Sequence, residues 1–224
     1  MAMKLSRISD STVRRLCGYH RVLEELLQEG RKVVSSRRLA ERAGVSSAQV
    51  RKDLSYFGSF GKRGLGYNVP RLHDEIRAIL GLDRRWPCAL VGAGHIGRAL
   101  YSYQEFRRRG FEIVAVFDAA EEVVGQAWGE LEIQHVRRLV PECRAKGVKI
   151  GIVATPARAA QEVTDLLVEA GVTGILNFAP RKLTLPAEVH LRHVNMTIEF
   201  ESLSFSLRAA ESRGRRRRAV PVGE

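Results

Sequence analysis

The sequence predicts an α/β chain made of two unlike domains and a terminal helix. Three observations carry this. The first 70 residues hold three short amphipathic helical patterns followed by a glycine-rich stretch. The middle alternates apolar strand patterns with helical ones and opens on the glycine loop "VGAGHIGRAL". Charge is unevenly placed: residues 1–85 hold 18 Lys and Arg against 9 Asp and Glu, residues 86–206 hold 13 against 14, and residues 207–224 hold 6 against 2.

Composition sets the outer limits. The chain has 224 residues, 45% of them hydrophobic, enough for one or two domains with real cores. No apolar run nears the roughly 20 residues a membrane helix needs. The N-terminus "MAMKLSRISD" lacks the apolar stretch of a secretion signal, so a cytoplasmic location with no membrane partner is expected. Cys17, Cys88 and Cys143 lie far apart with no C-x-x-C spacing, and neither a disulfide framework nor a metal site is expected. Cys88 falls in an apolar strand pattern and reads as an inert small hydrophobe, with a reactive thiol as the alternative. A net charge of +12 concentrated on the N-terminal third points to a polyanionic partner. Solubility alone would leave the nearly neutral middle unexplained.

The first helix is expected over residues 11–29, where Val13, Leu16, Cys17, His20, Leu23 and Leu27 recur at three- and four-residue spacing. Ser9, Asp10 or Ser11 can cap it and Gly30 stops it. In "SSRRLAERAGV" a serine opens a short second helix with Leu39, Ala40 and Ala43 inward, and Gly44 supplies a tight turn. Ser46 begins a third helix, with Gln49 three residues on as in a capping box. Two short helices joined by a glycine turn behind a longer one match a helix-turn-helix.

On the third helix Val50, Leu54 and Phe57 form the inward face. Ser47, Ala48, Arg51, Lys52 and Ser55 form the other, small, polar or cationic as a surface entering a DNA groove must be. An ordinary solvated helix face is the alternative. Next, Gly58, Gly61, Gly64 and Gly66 allow a tight hairpin, with Lys62 and Arg63 near its tip and within reach of phosphates or a minor groove. Helix-turn-helix plus basic hairpin is a winged helix, and double-stranded DNA is the expected partner. Residues 1–70 are read as this domain and 71–85 as a linker helix.

Residues 86–195 are read as a Rossmann-type domain. A strand, G-x-G-x-x-G at Gly92, Gly94 and Gly97, and a helix follow one another. The first glycine makes the turn, the second lets a pyrophosphate approach, and the third lets the helix pack close. Ala93, His95 and Ile96 complete the loop. "FEIVAVFD" supplies a second strand ending in Asp118, 21 residues beyond Gly97 and placed for adenosine ribose hydroxyls. No arginine follows it directly, so NADH and NAD+ are favoured over 2′-phosphorylated forms. A strand-end or helix-capping role for Asp118 is the alternative. Two later strands end at Thr155-Pro156 and at Asn177-Phe178, where crevice-lining residues stand in open parallel sheets. A turn-capping Asn177 and a core Phe178 are the alternatives. "AEVHLRHV" adds an edge strand.

A final helix is expected over 196–212. Met196, Phe200, Leu203 and Leu207 share a face, with Ile198 and Phe205 read as widening it. So much apolar surface suits either its own domain or a second subunit, since a DNA-reading head works as a symmetric pair. The basic residues 213–224 are read as a disordered tail. None of the six histidines stands at a strand end beside a polar partner, and no nucleophile or metal constellation is readable. The dinucleotide is thus expected as a signal, not a reactant, and no catalytic residue is assigned.

The stretch "QVRKDLSYFGSFGKRGLGYNV", with "VGAGHIGRAL", "FD" at 117–118 and "LNFAP" at 176–180, closely resembles Rex, the redox-sensing bacterial repressor family. The resemblance covers nearly the whole chain apart from the basic tail. It implies a homodimer with swapped C-terminal helices, an AT-rich inverted-repeat operator, release by NADH and competition by NAD+. It also implies coupling of nucleotide to DNA through Arg21, Tyr103 and a third position that falls on Asn195. Family members carry an aspartate there, and an amide forms no charged pair with Arg21, weakening that contact by about 1 kcal/mol or more. A Rex paralogue with a weakened NADH response is the alternative, and an NAD-dependent oxidoreductase a remote one.

Overall fold

The structure is a computed structural model that describes residues 8–58, 60–62 and 65–218, with the side chains of Lys62 and of 212–218 outside the description. The chain divides into two compact units, residues 1–85 and 86–224.

In the first unit, Ser9 caps α1 (Asp10–Gln28) by accepting the Thr12 N–H. The buried stripe of α1 is Thr12, Leu16, Tyr19, His20, Val22, Leu23 and Leu26. The expected stripe is thus shifted around the helix, leaving Val13 and Cys17 exposed. β1 (Val33–Val34) follows, then α2 (Ser36–Ala43) and α3 (Ser47–Ser55), capped by the hydroxyls of Ser35 and Ser46. Gly44 ends α2 at φ 68°, a left-handed conformation that costs a side-chain-bearing residue energy. β2 (Gly61–Lys62) and β3 (Gly66–Asn68) form the hairpin, and β1 joins it in a three-stranded sheet of order β1-β3-β2.

Residues 71–85 are not a bare linker. α4 (Val69–Ile79), opened by the Asn68 cap, buries Val69, Leu72 and Ile76 in the same core as α1, α2 and α3. Pro70 sits in its first turn, where its missing N–H costs nothing.

The second unit is a three-layer α/β sandwich. Its strands are β4 (Trp86–Val91), β5 (Phe111–Asp118), β6 (Ala127–Trp128), β7 (Leu131–His135), β8 (Ile150–Val153), β9 (Gly174–Asn177) and β10 (His190–His193). They lie in the order β10-β9-β8-β4-β5-β7-β6, parallel except for β6. The chain winds outward from β4 through β5 and β7, then crosses back to β8 and winds the other way, the doubly wound topology of Rossmann domains. The expected edge strand is β10. The β6–β7 hairpin was not expected.

Burial on both faces explains the continuous apolar runs of these strands. Along β4, Ala89 and Val91 join one core with α7 (Leu139–Ala145) and α8 (Ala160–Glu169). Cys88 and Leu90 join the other, where Leu100 and Tyr101 of α5 (His95–Ser102) pack. Burial pushes the Cys88 thiol up to about 12, so it is a protonated hydrophobe at neutral pH. A short α6 (Gln104–Arg108) follows α5.

α9 (Met196–Arg218) closes the described chain. It runs past the expected end at 212, so residues 213–218 are helical, not a disordered tail; 219–224 lie outside the described residues. No helix among the described residues is long and apolar enough to cross a membrane.

Candidate functional site

α3 is held by its inner face. Val50 and Leu54 are buried, and Asp53 between them is fully buried. Arg15 of α1 grips that carboxylate with two hydrogen bonds, Nε to Oδ2 at 2.6 Å and Nη2 to Oδ1 at 2.8 Å. The Tyr19 hydroxyl donates to Oδ2 at 2.8 Å and the Gln49 amide to Oδ1 at 2.8 Å. Burial raises the Asp53 pKa, but these hydrogen bonds and the Arg15 charge outweigh it and leave the carboxyl below its ordinary value. Burial first, then the bond to Asp53, pushes the Tyr19 phenol upward. Gln49 therefore serves Asp53, whereas a full capping box would turn it back to Ser46.

This clamp fixes the outer face of α3, where Ala48, Arg51, Lys52 and Ser55 are exposed and Ser47 is half-buried beside them. Arg51 donates to the Ser36 hydroxyl at 3.1 Å, and Ser55 to the Lys52 carbonyl at 2.7 Å. Lys62 lies on β2, in register with Gly66. Arg63 lies outside the described residues. The unit thus brings a basic helix face and a basic hairpin strand into one small domain.

The second site lies at the carboxyl ends of β4, β5, β8 and β9. Gly92 turns at φ 105°, and a Cβ there would stand 2.5 Å from the Ala154 carbonyl oxygen. A Cβ on Gly97 would stand 1.9 Å from the Gly92 carbonyl oxygen, so only glycine lets α5 pack this close. At Gly94 a Cβ would meet nothing within 4 Å. Three glycines therefore do three different jobs: turning, leaving open space over the loop, and close packing. His95 and Ile96 begin α5 and are exposed, and their end of the helix offers unpaired N–H groups to an anion.

Asp118 ends β5 directly beside this loop. Its Oδ2 accepts the Ala93 N–H at 2.6 Å, and Oδ1 accepts the Ala119 and Ala120 N–H groups. At the end of β8, the Thr155 Oγ1 is buried with no hydrogen-bond partner among the described residues, next to the exposed Pro156. Such an atom is costly unless a ligand or water completes it. Phe178 packs half-buried on the core of Cys88, Leu90 and Ile152, as Ala93 and Ala154 do.

Asn177 is different. Its side chain is buried and its hydrogen bonds stay local, from Nδ2 to the Ala179 and Arg181 carbonyls and from the Ala179 N–H to Oδ1. Nδ2 also lies 3.0 Å from His193 Nδ1 on β10. It shapes the loop after β9, so the turn-capping alternative describes its contacts in this structure.

Of the three coupling residues, Arg21 is exposed on α1 in the first unit. Tyr103, in the second, is 55% exposed and packs edge-on against Phe106. Asn195 caps α9, its Oδ1 accepting the Thr197 N–H at 3.0 Å. The Arg15–Asp53 clamp is what sequence reasoning missed; an Asp on the inward side of a helical pattern was its only trace.

Comparison with known proteins now decides the family. A family model described as "Putative DNA-binding protein N-terminus" matches residues 7–55, and one described as "CoA binding domain" matches 83–181. The Rex redox-sensing transcriptional repressor of Syntrophomonas wolfei is 47% identical over 205 residues, covering 92% of this chain and 98% of that protein. The chain belongs to the Rex family. The Rex repressor of Pelotomaculum thermopropionicum is 49% identical over 211 residues, 94% of this chain and 99% of that one. RSP, a Rex-family repressor, gives a TM-score of 0.88 in its complex with β-NAD+ and operator DNA, at 36% identity and covering 96% of this chain and 99% of that one. Its complex with β-NADH gives 0.85, at 35% identity and 93% and 98% coverage. Rex architecture thus accounts for both units: a DNA-binding domain, then a Rossmann-like sheet.

Proposed function

We propose that this protein is a transcriptional repressor that holds an inverted-repeat operator as a homodimer and releases it when NADH occupies the Rossmann crevice. The observation that carries the proposal is the pairing, in one chain of the Rex family, of a clamped basic recognition helix with a glycine-loop crevice fitted for a dinucleotide. Bound NADH supplies a pyrophosphate, a ribose diol and a nicotinamide ring without positive charge. The open space over Gly94 and the N–H groups at His95 and Ile96 would hold the pyrophosphate. Asp118 would take the ribose hydroxyls, and Thr155 would gain the partner its buried hydroxyl lacks. The ligand shifts the operator equilibrium only by its unequal affinity for the two states of the dimer. Chemistry on the nicotinamide is no part of this role, and a cytoplasmic location follows from it.

α9 supports the homodimer. Met196, Phe200, Leu203 and Leu207 fall within about 60° of one another on the helix, but Ile198 and Phe205 fall on the opposite side, at about 180°. They do not widen one face; they make a second. All six are more than half exposed in the single chain. A helix apolar on two opposed faces is suited to burial between two surfaces, as an exchanged helix would be. Phe205→Glu is therefore expected to turn a dimer into a monomer, with the mass by light scattering as the check.

The deciding experiment titrates NADH into a complex of the protein with an inverted-repeat duplex at fixed salt. Release by NADH and retention with NAD+ are expected; a complex that persists at saturating NADH refutes the reading. One observation favours a second reading, a Rex paralogue with a weakened NADH response. Asn195 carries no charge, and its side-chain oxygen is already engaged as the α9 cap.

A further inference from the structure

We propose that His20, Glu24 and His73 form a zinc-binding site that fastens α1 to α4 in the winged unit. The inference does not rest on the nucleotide or DNA reading. His20 and Glu24 stand one turn apart on α1 and share a face, while His73 comes from α4, which packs in the same core. One ligand atom from each lies within 4.8 Å of the other two. His20 Nδ1 and Glu24 Oε2 are 3.6 Å apart. Around zinc, with bonds of about 2.0–2.1 Å, tetrahedral ligand atoms stand roughly 3.3–3.5 Å apart. The His20–Glu24 edge is thus nearly set, and the His73 ring need close the rest by about an ångström.

The surroundings suit a metal. Asp74 Oδ1 lies 2.9 Å from His73 Nδ1, and an ionised carboxylate can only accept there. That bond fixes the tautomer whose Nε2 keeps its lone pair, the usual outer partner of a zinc-binding histidine. The His20 and His73 rings stack at 4.7 Å with 26° between their planes, so the exposed-side His73 ring has to turn out of the stack for both in-plane lone pairs to reach one ion. His20 is buried at 4% exposure, whereas the Glu24 side chain is 33% exposed and the His73 side chain 15%, so the site is rooted in the core and open on one side. Two imidazoles and one carboxylate favour zinc over calcium or magnesium, which prefer oxygen alone. Three protein ligands leave the fourth position to water. The sequence concealed the site because its donors sit on two helices far apart in the chain.

The test uses the untagged full chain, stripped with chelator and titrated with zinc chloride against a chromophoric zinc indicator. Cobalt(II) serves as the spectroscopic substitute. One zinc per chain at micromolar free metal is expected, with visible cobalt bands of tetrahedral type. His73→Ala and Glu24→Gln should each lower the affinity at least tenfold. Asp74→Asn alters an exposed side chain of little weight in folding and should lower it about tenfold. Cys17→Ser should leave binding unchanged, excluding the exposed thiol as the ligand. Failure to retain zinc at micromolar free metal overturns the proposal. So does zinc binding that His73→Ala, Glu24→Gln and Asp74→Asn all leave intact.

Discussion

Replacing Asp53 with alanine is expected to lower the thermal midpoint of the winged unit by about 12–24 °C. The reasoning is local. Asp53 is fully buried and takes four hydrogen bonds from three side chains. Removing it strands the buried Tyr19 hydroxyl and breaks a charge pair whose loss typically costs about 3–5 kcal/mol. The Arg15 side chain is 26% exposed and can turn partly to water, which places the cost near the lower bound, about 3 kcal/mol. A small domain loses roughly 4–8 °C per kcal/mol. Operator affinity should fall as well, because the clamp ties α3 to α1 from the side opposite the groove-reading face. Circular dichroism melts of the full chain check the first effect. A midpoint within about 3 °C of wild type would mean the clamp contributes little.

The same clamp gives the domain an acid limit. The Asp53 carboxyl is depressed in the folded state. Its contribution is therefore present above the unfolded carboxylate value of about 3.9 and is lost as pH falls through the lower folded value. The wild-type midpoint should drop steeply below about pH 4, and Asp53→Asn should flatten that part of the profile.

Local signals in the sequence located most of the elements. Serine caps at positions 9, 35 and 46, the Gly44 turn and the alternating strands around Gly92 are each decided by a few adjacent residues. What was hidden has several physical causes. The α1 stripe was misplaced because Tyr19 and Thr12 look like surface residues until Asp53 arrives from α3 to bond the first of them. β6 has only two residues and exists by pairing with β7, so it leaves no periodic trace. Charge predicts disorder at the end of α9, yet arginine is a good helix former and the helix runs on to Arg218. The strand-end position of Asn177 suggests a crevice residue; its side chain instead turns back on the loop at 179 and 181, and its contact with His193 exists only because β9 and β10 pair.

Gly94→Val should separate the two functions of the chain cleanly. Gly94 sits at φ −73° and ψ −167°, extended backbone that valine adopts without strain, and its Cβ would meet no neighbour within 4 Å. The fold should therefore keep its thermal midpoint within about 2 °C of wild type. The valine methyls would nevertheless fill the space over the loop at the amino end of α5, where a pyrophosphate has to approach the backbone. NADH affinity measured by fluorescence should fall at least about 100-fold, a cost of about 2.7 kcal/mol in a site that cannot retreat. Operator binding should persist and no longer respond to NADH, giving a permanently repressing protein. Gly97→Ala makes the contrast, because its Cβ would stand 1.9 Å from the Gly92 carbonyl oxygen. That clash lies inside the fold, so this variant should lose stability and nucleotide binding together. If Gly94→Val bound NADH as wild type does, the pyrophosphate would have to lie elsewhere than over this loop, and the crevice reading would fail while the DNA-reading domain stood.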